Sequence, residues 1–517
     1  MITTSSDGST QEASTTHGTT SQDWHSSQQT AITRRLCASA LLMGAEFRRT
    51  VLDRLRQRHK ALAPEIDVDT HLLARVCHYL EHDRPRIIQG VYRSVGLFFL
   101  VGVAFLVLVI LVTDSPALGL VAYLVGAIPV ADVIIRRLRS QNDETLLSHF
   151  NVARYNPDAV RRAFNTTLPP EIVTGIARPD QNLVVYSGFT PFIGAGYSLG
   201  GWSFVMNVLA GKEDMTGSRL IPEPFAINEL YAHFDESLRS LDLEELSIHD
   251  ALYVKGTEVR DDPVVMAGRY ERPRQHADEA VLQRYIVGTD PRIRYYKWIR
   301  IRDASESMVV SFFLRCALRG TNLFVEINRF LMTPLIDNYK QVDQHRWDKS
   351  PKTIMEQIGE WVNIALARLF GALAGPLITL SAYAALLTEP IARYFRRRRE
   401  RAEEEQAREA IDDNPFYDFG AAQSIRGGAS SRNYEHYFQK LDEEMYVKII
   451  DRSILDVIFA FLDAHNIDTS SIRDQRTHIL NSGVIIQGGD LQADVLAVGQ
   501  GASAAQNNTQ SERSQSA

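Results

Sequence analysis

Cysteine is scarce in this chain: Cys37, Cys77 and Cys316 are the only three in 517 residues, and they lie far apart. An odd count at such spacing gives no disulfide framework and favours a reducing compartment. No lysine-bearing phosphate-loop motif is present, which removes the commonest route to nucleotide hydrolysis. Gly194, Gly196 and Gly200 resemble a phosphate loop only loosely, because their spacing is one residue too long for G-x-G-x-x-G and no βαβ pattern surrounds them. Charge of one sign is not in large excess either, with 56 basic against 63 acidic residues and a net charge of −7. No internal repeat of useful length is visible.

Uncharged apolar runs are what the chain does have. Ser94 to Thr113 carries no charge for twenty residues, and Pro116 to Ala131 follows after a two-residue break. Twenty helical residues span about 30 Å, the thickness of a bilayer's hydrocarbon core. This pattern predicts a transmembrane helical hairpin over 94–135. Arg84, Arg86 and Arg93 before it and Arg136, Arg137 and Arg139 after it place both hairpin ends on the cytoplasmic side. A third run, Leu369 to Leu387, falls within a third membrane segment at 361–391, which either spans or re-enters at Gly375 and Pro376. The expected localisation is the cell membrane, as a multi-pass protein with its soluble domains cytoplasmic.

Around these runs the chain divides by composition. Residues 1–30 are Ser/Thr-rich and read as disordered, and 31–90 as amphipathic juxtamembrane helices with Leu36, Ala40, Met43, Phe47, Val51 and Leu55 on one face. The stretch 140–350 is long enough for one substantial domain. Asn156 before Pro157 predicts an N-capped helix to Phe164, and Ile227, Leu230, Tyr231, Phe234, Leu238 and Leu241 share a face of a helix over Ala226 to Leu241. Period-two alternation predicts strands at Leu183–Tyr186, Trp202–Leu209, Leu246–Val254 and Ile293–Ile301, and a hairpin from Val309 to Phe330 turning at Gly320 to Asn322. The class is therefore α+β: a membrane hairpin plus a mixed soluble domain. A charged helix follows at 392–411 and a Gly/Ser-rich linker at 412–432. The module at 433–504, closed by a disordered tail at 505–517, has a helix from Tyr434 to His465 more apolar than one exposed helix should be. That helix needs a partner.

Several motifs carry chemistry on paper. Gly196-Tyr197-Ser198-Leu199-Gly200 matches the G-x-S-x-G nucleophile elbow, with His233, His249 or His276 as possible bases. Its context is wrong, because Trp202, Phe204, Met206 and Val208 alternate like a strand where the elbow requires a helix. Imidazoles at His71, His78 and His82 fall on one helical stripe and could share a metal ion, yet no second element supplies further ligands, so no metal and no cofactor is expected. The strand RIRYYKWIRIR places Arg292, Arg294, Tyr296, Trp298, Arg300 and Arg302 on one face and Ile293, Tyr295, Lys297, Ile299 and Ile301 on the other. In a membrane-tethered domain its nearest anionic partner is the inner leaflet rather than nucleic acid, and Arg396, Arg397, Arg398 and Arg399 make the same lipid-contact claim.

Two stretches, LVVYSGFTPFIGAGYSLGGWSF and HILNSGVIIQGGDLQADVLAVGQGASA, together with the apolar hairpin resemble a family of uncharacterised actinobacterial integral membrane proteins. That resemblance implies membrane residence and brings no assigned activity or site residue. The second stretch also resembles Gly-rich β tails of bacterial conflict and signalling proteins, which implies self-association. The combined reading is a non-enzymatic, membrane-anchored scaffold or signalling protein that homo-oligomerises through its C-terminal module, with a serine hydrolase using Ser198 as the alternative.

Overall fold

The computed structural model describes residues 20–84, 143–345 and 401–473, together with 394, 398 and 399, apart from positions 215–216, 242, 244–245, 288–289, 304–307 and 471; side chains are described from residue 31. Six strands, β1 (Leu183–Tyr186), β2 (Tyr197–Asn207), β3 (Leu246–Lys255), β4 (Ile293–Arg302), β5 (Val309–Arg319) and β6 (Asn322–Met332), form one mixed sheet in the order β1-β3-β4-β5-β6-β2. Among the described strands, only β1 and β3 pair in parallel. Gly320, in the left-handed region at φ 59°, makes the two-residue turn that sets β5 against β6 from Arg319↔Asn322 onward.

Among the described residues the helices are α1 (Thr20–Leu42), α2 (Ala45–Arg56), α3 (Thr70–His78), α4 (Pro157–Ala163), α5 (Pro170–Val173), α6 (Ile227–Arg239), α7 (Glu279–Val287), α8 (Ile425–Ala429) and α9 (Tyr437–Ala464), with further helical residues at 143–148 and 401–413. α4 starts as its sequence dictates, the Asn156 side chain accepting from the amides of Asp158 and Ala159 at 2.8 and 3.2 Å, with Pro157 at the first helical position. The single N-terminal helix expected through Leu36 and Leu55 is broken into α1 and α2 at Gly44, whose φ of 84° no α-helix accommodates.

One sheet face buries Leu252, Val254, Ile299, Phe312 and Val325 beneath α6 and α9, which contribute Leu230, Phe234, Ile454 and Phe461 to the same core. The other face is covered by the loop 187–196, whose Phe192 sits among Tyr253, Tyr296, Phe313 and Phe330. α1 to α3 build a separate core with Phe150, Phe164, Leu335 and Ile425.

Among the described residues, no helix is long and apolar enough to cross a membrane. This finding overturns the expected class of transmembrane hairpin with a third membrane segment, and with it the multi-pass cell-membrane localisation. The apolar runs 94–113, 116–131 and 369–387 lie outside the described residues. The longest helix among the described residues, α9 at 28 residues, interrupts its apolar positions with Lys440, Asp442, Glu443, Glu444, Lys448, Asp451 and Arg452.

The apolar surplus of α9 finds its partner inside the chain, because Val447, Ile450, Ile454, Leu455, Ile458 and Leu462 are buried against α6 and the sheet. A second correction concerns the expected linker at 412–432. Its SIRGGA segment forms α8, capped by the Ser424 hydroxyl accepting from the Gly427 amide at 2.9 Å, and Arg426 within it is completely buried.

Candidate functional site

Ser198 stands on β2 at a break in register between Ser198 and Gly200, with its hydroxyl accepting from the Gly200 amide at 3.1 Å. The strand continues to Asn207, so the helix that would present a nucleophile is missing. The three candidate bases are engaged elsewhere: His233 lies edge-on to Phe461, His249 meets Arg300, and His276 Nδ1 is 3.0 Å from the Asp180 carbonyl.

His78 and His82 do meet, as rings stacked 4.5 Å apart and 8° from parallel, while His71 is exposed. His78 Nδ1 is 3.0 Å from the Thr166 hydroxyl, which donates to Asp83, and Arg56 approaches His82 Nε2 at 3.4 Å. Face-to-face imidazoles cannot aim their nitrogens at one ion, and among the described residues no group of three His, Cys, Asp or Glu could hold a metal. The stacked pair borders a cleft of about 1490 Å³ between α2 and the helical residues 401–413. An ion pair from Arg58 to Glu404 at 3.5 Å bridges that cleft, and Arg49 on its wall pairs with Glu81 at 2.9 Å.

The basic strand is internal rather than superficial. β4 is flanked by β3 and β5 and covered on both faces, so that Lys297 and Trp298 are 2% and 4% exposed. Lys297 Nζ donates to Asp235 at 2.7 Å and Asp250 at 2.8 Å, Trp298 packs on Phe313, and Arg300 lies over the Trp298 ring and meets His249. Burial lowers Arg300 to about 10. Of the remaining lipid-contact candidates, Arg294 is exposed, Arg292 pairs with Asp290 at 2.9 Å, Arg399 pairs with Glu403 at 2.8 Å, and Arg398 is exposed. Arg396 and Arg397 lie outside the described residues.

Arg302 leads to a constellation that sequence reasoning missed. Its guanidinium donates to Asp67 at 2.5 Å and 3.2 Å, and Arg426 Nη1 reaches the same carboxylate at 2.5 Å. Asp67 adopts φ 59°, a left-handed conformation that is uncommon outside glycine. Burial alone would raise its carboxyl, but the Arg426 and Arg302 charges outweigh burial and hold it below the ordinary range. Two residues earlier, Glu65 accepts from the Ile425 and Arg426 amides at 2.5 and 3.2 Å. Segment 65–67 thereby ties the α1–α3 layer to the end of β4 and the start of α8. A second buried pair, Arg329 with Asp451 at 3.1 Å, pins α9 to β6.

Desolvation raises Glu65 to about 7, its backbone hydrogen bonds and nearby arginines opposing only in part. A carboxyl raised on folding holds a proton that the unfolded chain releases, so its contribution to stability is lost as pH climbs from the unfolded value to the folded one. Denaturant titrations between pH 5 and 8 should therefore show stability falling by up to on the order of 3 kcal/mol toward pH 7 and then levelling. Glu65→Gln should flatten that slope. An equally steep slope in the variant would assign it to another group, such as Asp451, which burial raises to about 6 against the pull of Arg329.

The remaining feature is a surface. Tyr437, Phe438, Leu441 and Met445, at the N-terminal end of α9, are 69, 70, 40 and 45% exposed. Their spacing puts them on one face of the helix, where Phe438, Leu441 and Met445 follow i, i+3, i+7. Nearby, the Tyr434 hydroxyl bonds Glu443 at 2.9 Å and meets Tyr197, the first residue of β2. This end of α9 thus sits beside the outer strand of the sheet.

A family model described as an AbeC-like domain matches residues 201–492, which is more than half of the chain. The chain belongs to the AbeC-like family. Its AbeC-like domain takes in β3 to β6, most of β2, α6 to α9 and the arginines of the buried network, while Asp67, Glu65, β1 and α1 to α5 precede it. The match carries no information on actinobacterial origin or on membrane nature, the two finer points of the resemblance read from sequence. No curated protein and no solved structure matches the chain.

Proposed function

We propose that this AbeC-like protein is a non-enzymatic scaffold that acts by self-association. The observation carrying this reading is the Tyr437, Phe438, Leu441 and Met445 stripe, an apolar face left open on a helix most of whose other large apolar residues are buried in the core. Contiguous exposed apolar surface of this kind marks interaction sites in natural proteins. Ser198, bonded to its own strand, gives the hydrolase alternative no comparable support.

Magnitudes limit what the stripe does alone. At about 1.5–3 kcal/mol per side chain taken from full exposure to full burial, four residues that are 40–70% exposed supply about 3–7 kcal/mol gross. Association costs about 4–15 kcal/mol in lost freedom, so the stripe by itself gives weak binding and a second contact surface is required.

The test is light scattering of the full chain beside the Phe438→Glu/Leu441→Glu variant. Wild type should show a mass above that of the monomer, and the variant should dissociate at least tenfold more readily with unchanged circular dichroism. A monomeric wild type, or labelling by a fluorophosphonate probe that disappears in Ser198→Ala, would sink the scaffold reading.

A further inference from the structure

The two edges of the sheet are treated differently. At the β1 edge the chain covers itself: the Ser187 amide donates to the Ala421 carbonyl at 2.8 Å, the Ala421 amide donates to the Val185 carbonyl at 2.9 Å, and Tyr186 and Ala421 form a parallel bridge. At the opposite edge, β2 pairs on one side only, with β6, among the described residues. From Gly200 to Asn207 that pairing runs without a shift, and the Ser203, Val205 and Asn207 side chains are exposed, Val205 at 59%.

Natural proteins keep a free edge from pairing with charged side chains, proline, bulges or extreme shortness. β2 carries no charge and no proline and is eleven residues long, with the sequence YSLGGWSFVMN. Its single irregularity, the shift at Ser198 and Gly200, lies at the far end from Asn207. An edge strand without charge is complementary to itself, since placing two copies side by side opposes no like charges.

We infer that β2 is the second contact surface, and that it pairs antiparallel with β2 of a second copy across a two-fold axis to join two six-stranded sheets. The inference rests on the self-association proposed above and names its strand. A two-fold arrangement requires the same patch from each protomer, which an antiparallel edge-to-edge junction supplies. Tyr434, just before α9, meets Tyr197 at the start of β2.

Spin labels placed singly at Ser203→Cys, Val205→Cys and Asn207→Cys in the full chain test this directly, because the native Cys37, Cys77 and Cys316 are buried. All three positions face the same side of the strand. Antiparallel pairing about a two-fold makes the distance between equivalent labels smallest nearest the axis and larger by about 13 Å for each two-residue step away from it. A steep profile of this kind is expected, together with at least tenfold weaker association for Ser203→Lys/Val205→Lys at unchanged circular dichroism. If the chain associates but the profile is flat, or the lysine variant associates as well as wild type, β2 is not the junction and the scaffold reading stands without it. Should the full chain stay monomeric, both fall together.

Discussion

Replacing Asp67 by asparagine is expected to lower the unfolding free energy by about 3–5 kcal/mol, the cost of leaving a buried charge without its partner. Arg426 is completely buried and the Arg302 side chain is 12% exposed, and both guanidiniums converge on this one carboxylate. Asparagine tolerates the left-handed backbone at φ 59° and preserves the side chain's shape, so the substitution removes charge and little else. A loss of this size is about a fifth or more of the stability of an ordinary domain. Adding Arg426→Met should recover part of it, since removing both members of a buried pair costs less than removing one. Urea denaturation of the two variants measures both quantities. A loss below about 1 kcal/mol for Asp67→Asn would mean that the network does not hold the α1–α3 layer to the sheet.

Phe192→Ala is expected to cost about 3–5 kcal/mol through the cavity it leaves. The ring is stacked 4.0 Å from Phe313 and meets Tyr253, Tyr296 and Phe330 edge-on at 5.1–5.3 Å. It is the anchor by which the loop 187–196 covers the second face of the sheet. The turns on either side depend on glycine: Gly196 has φ 97°, and a Cβ there would lie 1.9 Å from the Leu331 carbonyl oxygen. Loss of the anchor should also expose Ile66, which belongs to the same apolar cluster and adjoins Asp67. Hydrogen exchange should accordingly speed up in both 187–196 and 64–69. Acceleration confined to the loop would show that loop and N-terminal layer are held independently.

Local patterns were legible in the sequence to within a few residues. Alternation placed β1, β3 and β4 and the β5–β6 hairpin, and Asn156-Pro157 placed the start of α4, because each depends on neighbours only a few positions away. The partners of the charges were not legible. Arg426 and Asp67 are 359 residues apart in sequence, and the segment carrying Arg426 reads as a linker by composition. For the same reason RIRYYKWIRIR looks like a basic face, since Asp67, Asp235 and Asp250, which meet its cations, come from distant elements. The apolar surplus of α9 was legible, but sequence could not say that α6 and the sheet consume most of it. Membrane spanning was read from uncharged length and its basic flanks, whereas no helix among the described residues is long and apolar enough to cross a membrane.

Sedimentation equilibrium of the full chain from about 1 to 100 μM, a span that covers weak and moderate association constants, measures the central claim most directly. Self-association gives a weight-average mass that climbs with concentration from the 58.2 kDa of one protomer toward twice that value. A mass that stays at 58.2 kDa across the whole range would contradict it.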